Sequence, residues 1–525
     1  MPPRGRKDRT MTQELKRKIG QMLMAGFPSP QVDEQARKLV HDFCLGNFVL
    51  FKRNFENSRQ TGEMCEGLNA LTYEDSGLAP IISLDQEGGN ISRMVEGASL
   101  LPGAMSVSAA DADGFEIGSI CARVMTSHGV NANLAPVLDV NSDPMNPIIG
   151  FRSFGDTPET VIKYGVSELK GMNAGGMLAT MKHFPGHGNV TGDSHLTLPE
   201  NNSDEATLRA VDFAPFKAAV EAGAEALMTC HVVFKDFDPD NPATLSRRIM
   251  TDYLRGELGF QGIVMTDCME MGAIRDTIGT GEGAVRAVEA GCDMLCISHT
   301  YEAVSAAANA LYAAVDSGRL SPERIEESYQ RILRVKRKFG LDKPFVFDAA
   351  KGEAAIHNEA DIRALRAVSR RGITRVYDDF EAPDLSDPVF LSPNALCFTG
   401  NDNPEGMPDN FAYSAAKRLG GKSIIFPIDT VDDATKEAID AARGSAFVLG
   451  LYNARFRPSQ IKVYKLLKQK RVPVTVVLLG APYDLGLLEG ERNVIVSYEY
   501  TDASIKAVLS ALTENTYYGR LPVKL

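Results

Sequence analysis

The sequence predicts an α/β protein built from an N-terminal (β/α)8 TIM-type barrel, complete or imperfect, followed by a C-terminal α/β sandwich domain. Two observations carry this. Between residues 47 and 298, short apolar runs alternate with amphipathic segments at spacings wide enough for crossover helices, which demands a parallel sheet. Beyond residue 340 a second series of apolar runs begins, separated from the first by a periodic helix and a Pro- and Gly-containing stretch. With 525 residues, 44% of them hydrophobic and 24% charged, the chain is long enough for two cores.

The barrel runs are NFVLF (47–51), PIISLD (80–85), LAPVLDV (134–140), MLATMKHF (177–184), ALMTC (226–230), GIVMTD (262–267) and DMLCIS (293–298). Seven strands are visible, so an eighth must be short, irregular or missing. No nucleotide-type glycine loop follows the first run, which favours a barrel over a doubly wound sheet. The helix PERIEESYQRILRVKRKFG ends at Gly340, and DKPFVFDAAKG reads as a linker. The division expected is a disordered tail over 1–11, a barrel over 12–340, a linker over 341–365 and a sandwich domain over 366–525. In the last of these, runs at 394–400, 423–428, 446–451, 474–480 and 493–498 alternate with helical segments at 432–444 and 459–471, predicting a mainly parallel sheet.

A net charge of -12 repels phosphate backbones and anionic lipid surfaces, arguing against nucleic-acid or membrane partners. The basic start MPPRGRKDRT precedes a charged helical pattern from Thr12, not the apolar core of a signal peptide, and reads as a tail ahead of an alternative start at Met11. No stretch reaches the roughly 18 uncharged apolar residues of a membrane span. The eight cysteines (Cys44, Cys65, Cys121, Cys230, Cys268, Cys292, Cys296, Cys397) form no C-x-x-C pair and mostly lie in apolar runs, as reduced buried thiols do, so a cytoplasmic location is expected. Cys292 and Cys296 share a spacing that a metal could use, but they fall in a buried strand and are assigned to the core.

The unusual polar residues of the first domain fall at the C-terminal ends of the predicted strands, the face where barrels build active sites: Asp85, Asp139, Lys182 with His183, His231 and Asp267. The densest cluster is KHFPGHGNVTGDSHLTLP (182–199), where three of the eight histidines, His183, His187 and His195, lie within thirteen residues. Zinc binding is one reading, but the spacing matches neither H-E-x-x-H nor structural-zinc patterns. The other is a general acid/base histidine, His195, whose tautomer Asp193 could fix from two residues away. Asp267, an acid ending an otherwise apolar strand, is a candidate nucleophile; an ion pair with Lys182 or Arg152 is the structural alternative. Asp85 precedes a Gly-Gly turn that allows close backbone approach to a ligand, and Arg93 follows eight residues on. Carboxylates and cationic forks on a barrel rim suit vicinal hydroxyls. A Ser-His-Asp hydrolase is disfavoured because no G-x-S-x-G elbow occurs.

These motifs resemble glycoside hydrolase family 3, in its NagZ-like β-N-acetylglucosaminidase branch. The resemblance covers roughly residues 12–340 by motif order, and the ending GRLPVKL is similar to the close of the family's second domain. KHFPGHG followed by D-S-H is its most specific part, since the family's β-glucosidases draw their acid/base glutamate from the second domain. The resemblance implies that Asp267 attacks the anomeric carbon while His195, with Asp193, serves as acid and then base, with retention through a covalent glycosyl-enzyme. It also implies that Asp85, Arg93, Arg152, Lys182 and His183 hold the sugar hydroxyls. Asn90 stands where the family often has arginine after the DQEGG turn, which puts one supporting contact in doubt. The expected activity is exo-hydrolysis of terminal β-linked GlcNAc from chitooligosaccharides or muropeptide-type glycans, with no metal or organic cofactor, by a monomer or homodimer. A β-N-acetylglucosaminide phosphorylase and an inactive carbohydrate-binding protein are the alternatives.

Overall fold

The structure is a computed structural model that describes residues 11–94, 100–190, 192, 198–394 and 410–525. Eight parallel strands form the first sheet: β1 (Leu23–Ala25), β2 (Asn47–Leu50), β3 (Ile81–Leu84), β4 (Ala132–Asn133), β5 (Leu178–Phe184), β6 (Ala226–Thr229), β7 (Ile263–Met265) and β8 (Leu295–Ile297). β1 pairs in parallel with both β2 and β8, and a parallel bridge between Met265 and Met294 joins β7 to β8. The sheet therefore closes on itself as a (β/α)8 barrel.

The eighth strand is β1. It begins within the last two residues of the segment TQELKRKIGQMLM (12–24), which the sequence reads as helical throughout, and ends at Ala25. The helix Gln13–Gln21, capped by the Thr12 side chain, gives way after one residue to three buried apolar residues with no alternation to betray a strand. β4 stops just ahead of the predicted run LAPVLDV (134–140) instead of running through it, where Pro136 offers no N–H to a ladder. Beyond it the chain still follows β5 irregularly, with Val137 bridged to Lys182 and Leu138 N–H donating to the Lys182 carbonyl at 2.7 Å. That path carries Asp139 to the strand ends.

In the second domain, β9 (Thr374–Arg375), β10 (Pro388–Pro393), β11 (Lys422–Phe426), β12 (Ala446–Leu451), β13 (Val474–Leu478) and β14 (Val494–Val496) form a sheet ordered β9-β14-β13-β12-β10-β11, parallel except for β9. Alternate residues feed two separate cores, Val389, Phe447, Val476 and Val494 on one face and Phe390, Val448, Val477 and Ile495 on the other. Helices cover both faces, which is the α/β sandwich. β10 begins six residues before the predicted run at 394, most of which lies outside the described residues.

The stretch 341–365, expected to be a linker, carries helix Ala349–Ile356, capped by Asp348, and the first half of helix Glu359–Gly372, capped by Asn358. It packs on the barrel: the Phe347 ring lies 5.9 Å from that of His128 and fills the space over Gly62. The C-terminal GRLPVKL returns to the barrel too, with Arg520 N–H donating to the Ala109 carbonyl and Lys524 N–H to Asp156. No helix among the described residues is long and apolar enough to cross a membrane.

Candidate active site

At the C-terminal end of the barrel, the polar residues of β3, β4 and β5 form one buried network. Lys182 extends from β5 between two carboxylates, its Nζ 2.7 Å from Asp85 Oδ1 and 2.6 Å from Glu87 Oε1. Arg152 grips the same Glu87 with both prongs, Nε at 2.9 Å and an Nη at 2.8 Å, and spends another N–H on the Ile148 carbonyl. Burial alone would push the Glu87 carboxyl up, but Arg152 and Lys182 outweigh it and hold it well below the usual carboxylate range. For Lys182 burial favours the neutral amine, and Asp85 and Glu87 reverse that, so it stays charged. Arg93 approaches the second Asp85 oxygen at 3.9 Å, beyond hydrogen-bond reach.

Asp139 organises the histidine turn. Fully buried, it accepts from His183 Nδ1 at 2.7 Å and from the backbone N–H of His187 at 2.7 Å. Burial would raise its pKa, but the facing His183 brings it below the ordinary value. A carboxylate can only accept, so His183 Nδ1 carries the proton and its Nε2 faces Arg152 at 3.5 Å. Burial drives the pKa of His187 down to about 4, which keeps this ring neutral.

Asp267 follows β7 by two residues. Its Oδ1 accepts from the Cys268 N–H at 2.7 Å, and His231 Nε2 donates to the Cys268 carbonyl at 3.1 Å. Met269 N–H pins the same loop to β8 through the Cys296 carbonyl. Three neighbouring strands thus hold the loop that presents Asp267.

The structure brings Asp85, Arg93, Arg152, Lys182 and His183 into a single cluster and places Asp267 at the same end of the barrel. Asp193 and His195 lie outside the described residues. Two participants carry no assigned role in the sequence reading, Glu87 and Asp139. Both left a signal: Glu87 is the second acid of DQEGG, and Asp139 ends a predicted strand. The hydrogen-bonded carboxylate partners of Lys182 and Arg152 are Asp85 and Glu87. Among the described residues no group of three or more His, Cys, Asp or Glu side chains is arranged to hold a metal ion.

A closed parallel barrel with paired carboxylates and cationic forks crowding this end has the build of a barrel glycosidase. Comparison with known proteins agrees: residues 14–335 match the glycosyl hydrolase family 3 N-terminal domain. The chain is 30% identical over 374 residues to beta-hexosaminidase A of Pseudoalteromonas piscicida, covering 66% of this chain but only 62% of that protein. It is 35% identical over 286 residues to a beta-hexosaminidase of Neisseria meningitidis serogroup C, covering 53% and 77%. Among solved structures, a glycoside hydrolase family 3 beta-N-acetylglucosaminidase from Paenibacillus sp. str. FPU-7 superposes with a TM-score of 0.91 at 34% identity, over 98% of this chain and 99% of that one. The chain belongs to glycosyl hydrolase family 3.

Proposed function

We propose that this protein is an exo-acting, retaining β-N-acetylglucosaminidase that removes terminal β-linked GlcNAc from oligosaccharides such as chitooligosaccharides or muropeptide-type glycans. The observation that carries the reading is the end-to-end similarity to a β-N-acetylglucosaminidase across both domains, with an acid, Asp267, at the end of β7. In the first step an Asp267 oxygen attacks the anomeric carbon. The bond to the leaving oxygen breaks, and that oxygen takes a proton from His195, whose imidazole Asp193 orients. In the second step the neutral His195 removes a proton from water, which attacks the same carbon and releases Asp267, so configuration is retained. Histidine suits both directions because its ordinary pKa lies near neutrality.

Asp85, Arg93, Arg152, Lys182 and His183 are assigned to the sugar hydroxyls, and Asp85 is suited to this because Lys182 occupies only one of its oxygens. The reading needs no metal or organic cofactor. A reducing, cytoplasmic setting belongs to the same proposal, supported by seven free cysteines among the described residues, six of them buried.

The test is product analysis with an aryl β-N-acetylglucosaminide beside the matching β-glucoside, with and without phosphate. Free GlcNAc at a phosphate-independent rate, with the glucoside untouched, is the expected result. GlcNAc-1-phosphate would make the enzyme a phosphorylase, and absence of turnover on either sugar would reduce it to a binding protein.

A further inference from the structure

The turn that carries Asp85 and Glu87 is gripped from two sides. From the barrel, Asn133 exchanges hydrogen bonds with the Gln86 backbone, and the Gln86 side chain accepts from the Arg93 and Met94 N–H groups. From the second domain the grip falls on Asn90, which is 6% exposed. Its Nδ2 donates to the Tyr452 hydroxyl at 2.9 Å and its Oδ1 accepts from the Tyr500 N–H at 2.8 Å, so both ends of the amide are spent on the other domain. Beside it, Glu499 Oε2 accepts from the Gly103 N–H at 2.7 Å. A Cβ on Gly89, whose φ is +55°, would stand 3.0 Å from that same oxygen. The second domain therefore approaches this turn as closely as a glycine permits.

Tyr452 follows directly on β12 and also reaches the other half of the site. Its ring lies 6.5 Å from that of Phe151 and 5.5 Å from that of Tyr500. Phe151 is the residue before Arg152, and Arg152 is the bidentate partner of Glu87. One second-domain side chain thus touches both segments that meet in the Glu87–Arg152 pair, through Asn90 on one side and Phe151 on the other. The departure from the family's arginine at position 90 has a physical content: a short amide that bonds across the domain boundary.

We infer that Asn90 and Tyr452 are positioning residues through which the second domain sets the placement of the Glu87–Arg152 pair, and with it the affinity of the barrel rim for the sugar. This rests on the proposed reading that the rim binds GlcNAc. A shift of the pair that weakens sugar binding about 5- to 10-fold corresponds to roughly 1 to 1.4 kcal/mol, within what one buried hydrogen bond contributes.

The experiment compares full-length Tyr452→Phe and Asn90→Ala with the wild type and with a control, Tyr498→Phe. The control loses an equally buried second-domain hydroxyl that bonds Thr374 at 2.8 Å. KM and kcat on an aryl β-N-acetylglucosaminide, the binding constant of free GlcNAc by calorimetry, and the thermal midpoint are read for each. Tyr452→Phe and Asn90→Ala are expected to weaken KM and GlcNAc binding by about 5- to 10-fold with kcat changed less than about twofold. Tyr498→Phe is expected to lower the midpoint and leave KM alone. Wild-type KM and GlcNAc binding in both positioning variants, with only the midpoint lowered, overturns the inference. If Asn90→Ala fails to fold, Tyr452→Phe keeps the ring and decides alone. A wild type that binds GlcNAc without turning it over refutes the catalytic reading and leaves this one to the calorimetry; one that neither binds nor turns over refutes both.

Discussion

The two ends of the barrel each bury a cluster of charge, and they are wired differently. At the N-terminal end, Asp293 is fully buried and each of its oxygens accepts two donors: Arg255 and the Val264 N–H on one, Ser328 and Arg331 on the other. The arginines around it finish on main-chain carbonyls, Arg255 on Phe260 and Gly262, Arg324 on Val288 and Cys292. That carboxylate has no acceptor position left for a ligand. At the C-terminal end, Asp85 gives one oxygen to Lys182, keeps the other beyond hydrogen-bond reach of Arg93, and remains 20% exposed. Two carboxylates of equal charge thus differ in both burial and free acceptor capacity. The lesson is that saturation of the acceptor sites, not the presence of an ion pair, separates a brace from a binding site.

The comparison breaks most visibly at Asp267. Asp267→Ala is expected to cut kcat on an aryl β-N-acetylglucosaminide by roughly 10^3-fold or more, because the proposed mechanism draws its nucleophile from this residue. Its Oδ1 accepts from the neighbouring Cys268 N–H, so the thermal midpoint is read alongside to separate a lost nucleophile from a lost fold. Near-normal turnover would remove Asp267 from the mechanism.

A matched pair sharpens it further. Glu87→Gln leaves Lys182 and Arg152 short of their shared negative charge, and Asp293→Asn does the same to Arg255 and Arg331. Breaking a buried network by removing one charge costs about 3 to 5 kcal/mol, so denaturant titrations should show a comparable loss of stability in both. Only Glu87→Gln should also lower kcat/KM, by about 10^2-fold, when both are assayed well below their unfolding transitions. An equal fall in kcat/KM for Asp293→Asn would mean that the lower cluster reports on the site, and the division of labour would collapse.

The strands are legible in the sequence where an apolar run ends in a polar residue, which is why the sequence alone puts Asp85, Lys182, His183 and Asp267 at one rim. β1 was hidden because three apolar residues following a helix fit helical periodicity as well as strand periodicity. Glu87 left a signal as the second acid of DQEGG but no role, since an acid before Gly-Gly reads as turn chemistry. Asp139 was visible as a strand end, but its grip on the histidine turn depends on the irregular path beyond β4, which a proline imposes and no periodicity encodes. The contacts of Asn90 join residues 362 and 410 positions apart, and nothing local announces them.

The smallest expected effect concerns the seam between the two domains. Burial pushes the pKa of Glu499 up to about 7, against the opposing pull of the Gly103 N–H and Thr501. A carboxyl whose folded value exceeds its unfolded value of about 4.5 contributes stability that is complete below that pH and is lost as pH rises through 7. Glu168 and Asp212, raised by burial to about 8 and 7, act in the same direction, whereas neutral His187 opposes them between about pH 4 and 6.5. The difference between wild type and Glu499→Gln cancels those shared contributions. Measured by denaturant unfolding, the stability of Glu499→Gln relative to wild type should therefore rise by about 2 to 3 kcal/mol between pH 5 and pH 8. A difference that stays flat across that range would mean that Glu499 is already ionised at pH 5, held by its donors as firmly as Glu87 is held by its cations, and the seam would then resemble the saturated cluster at the far end of the barrel.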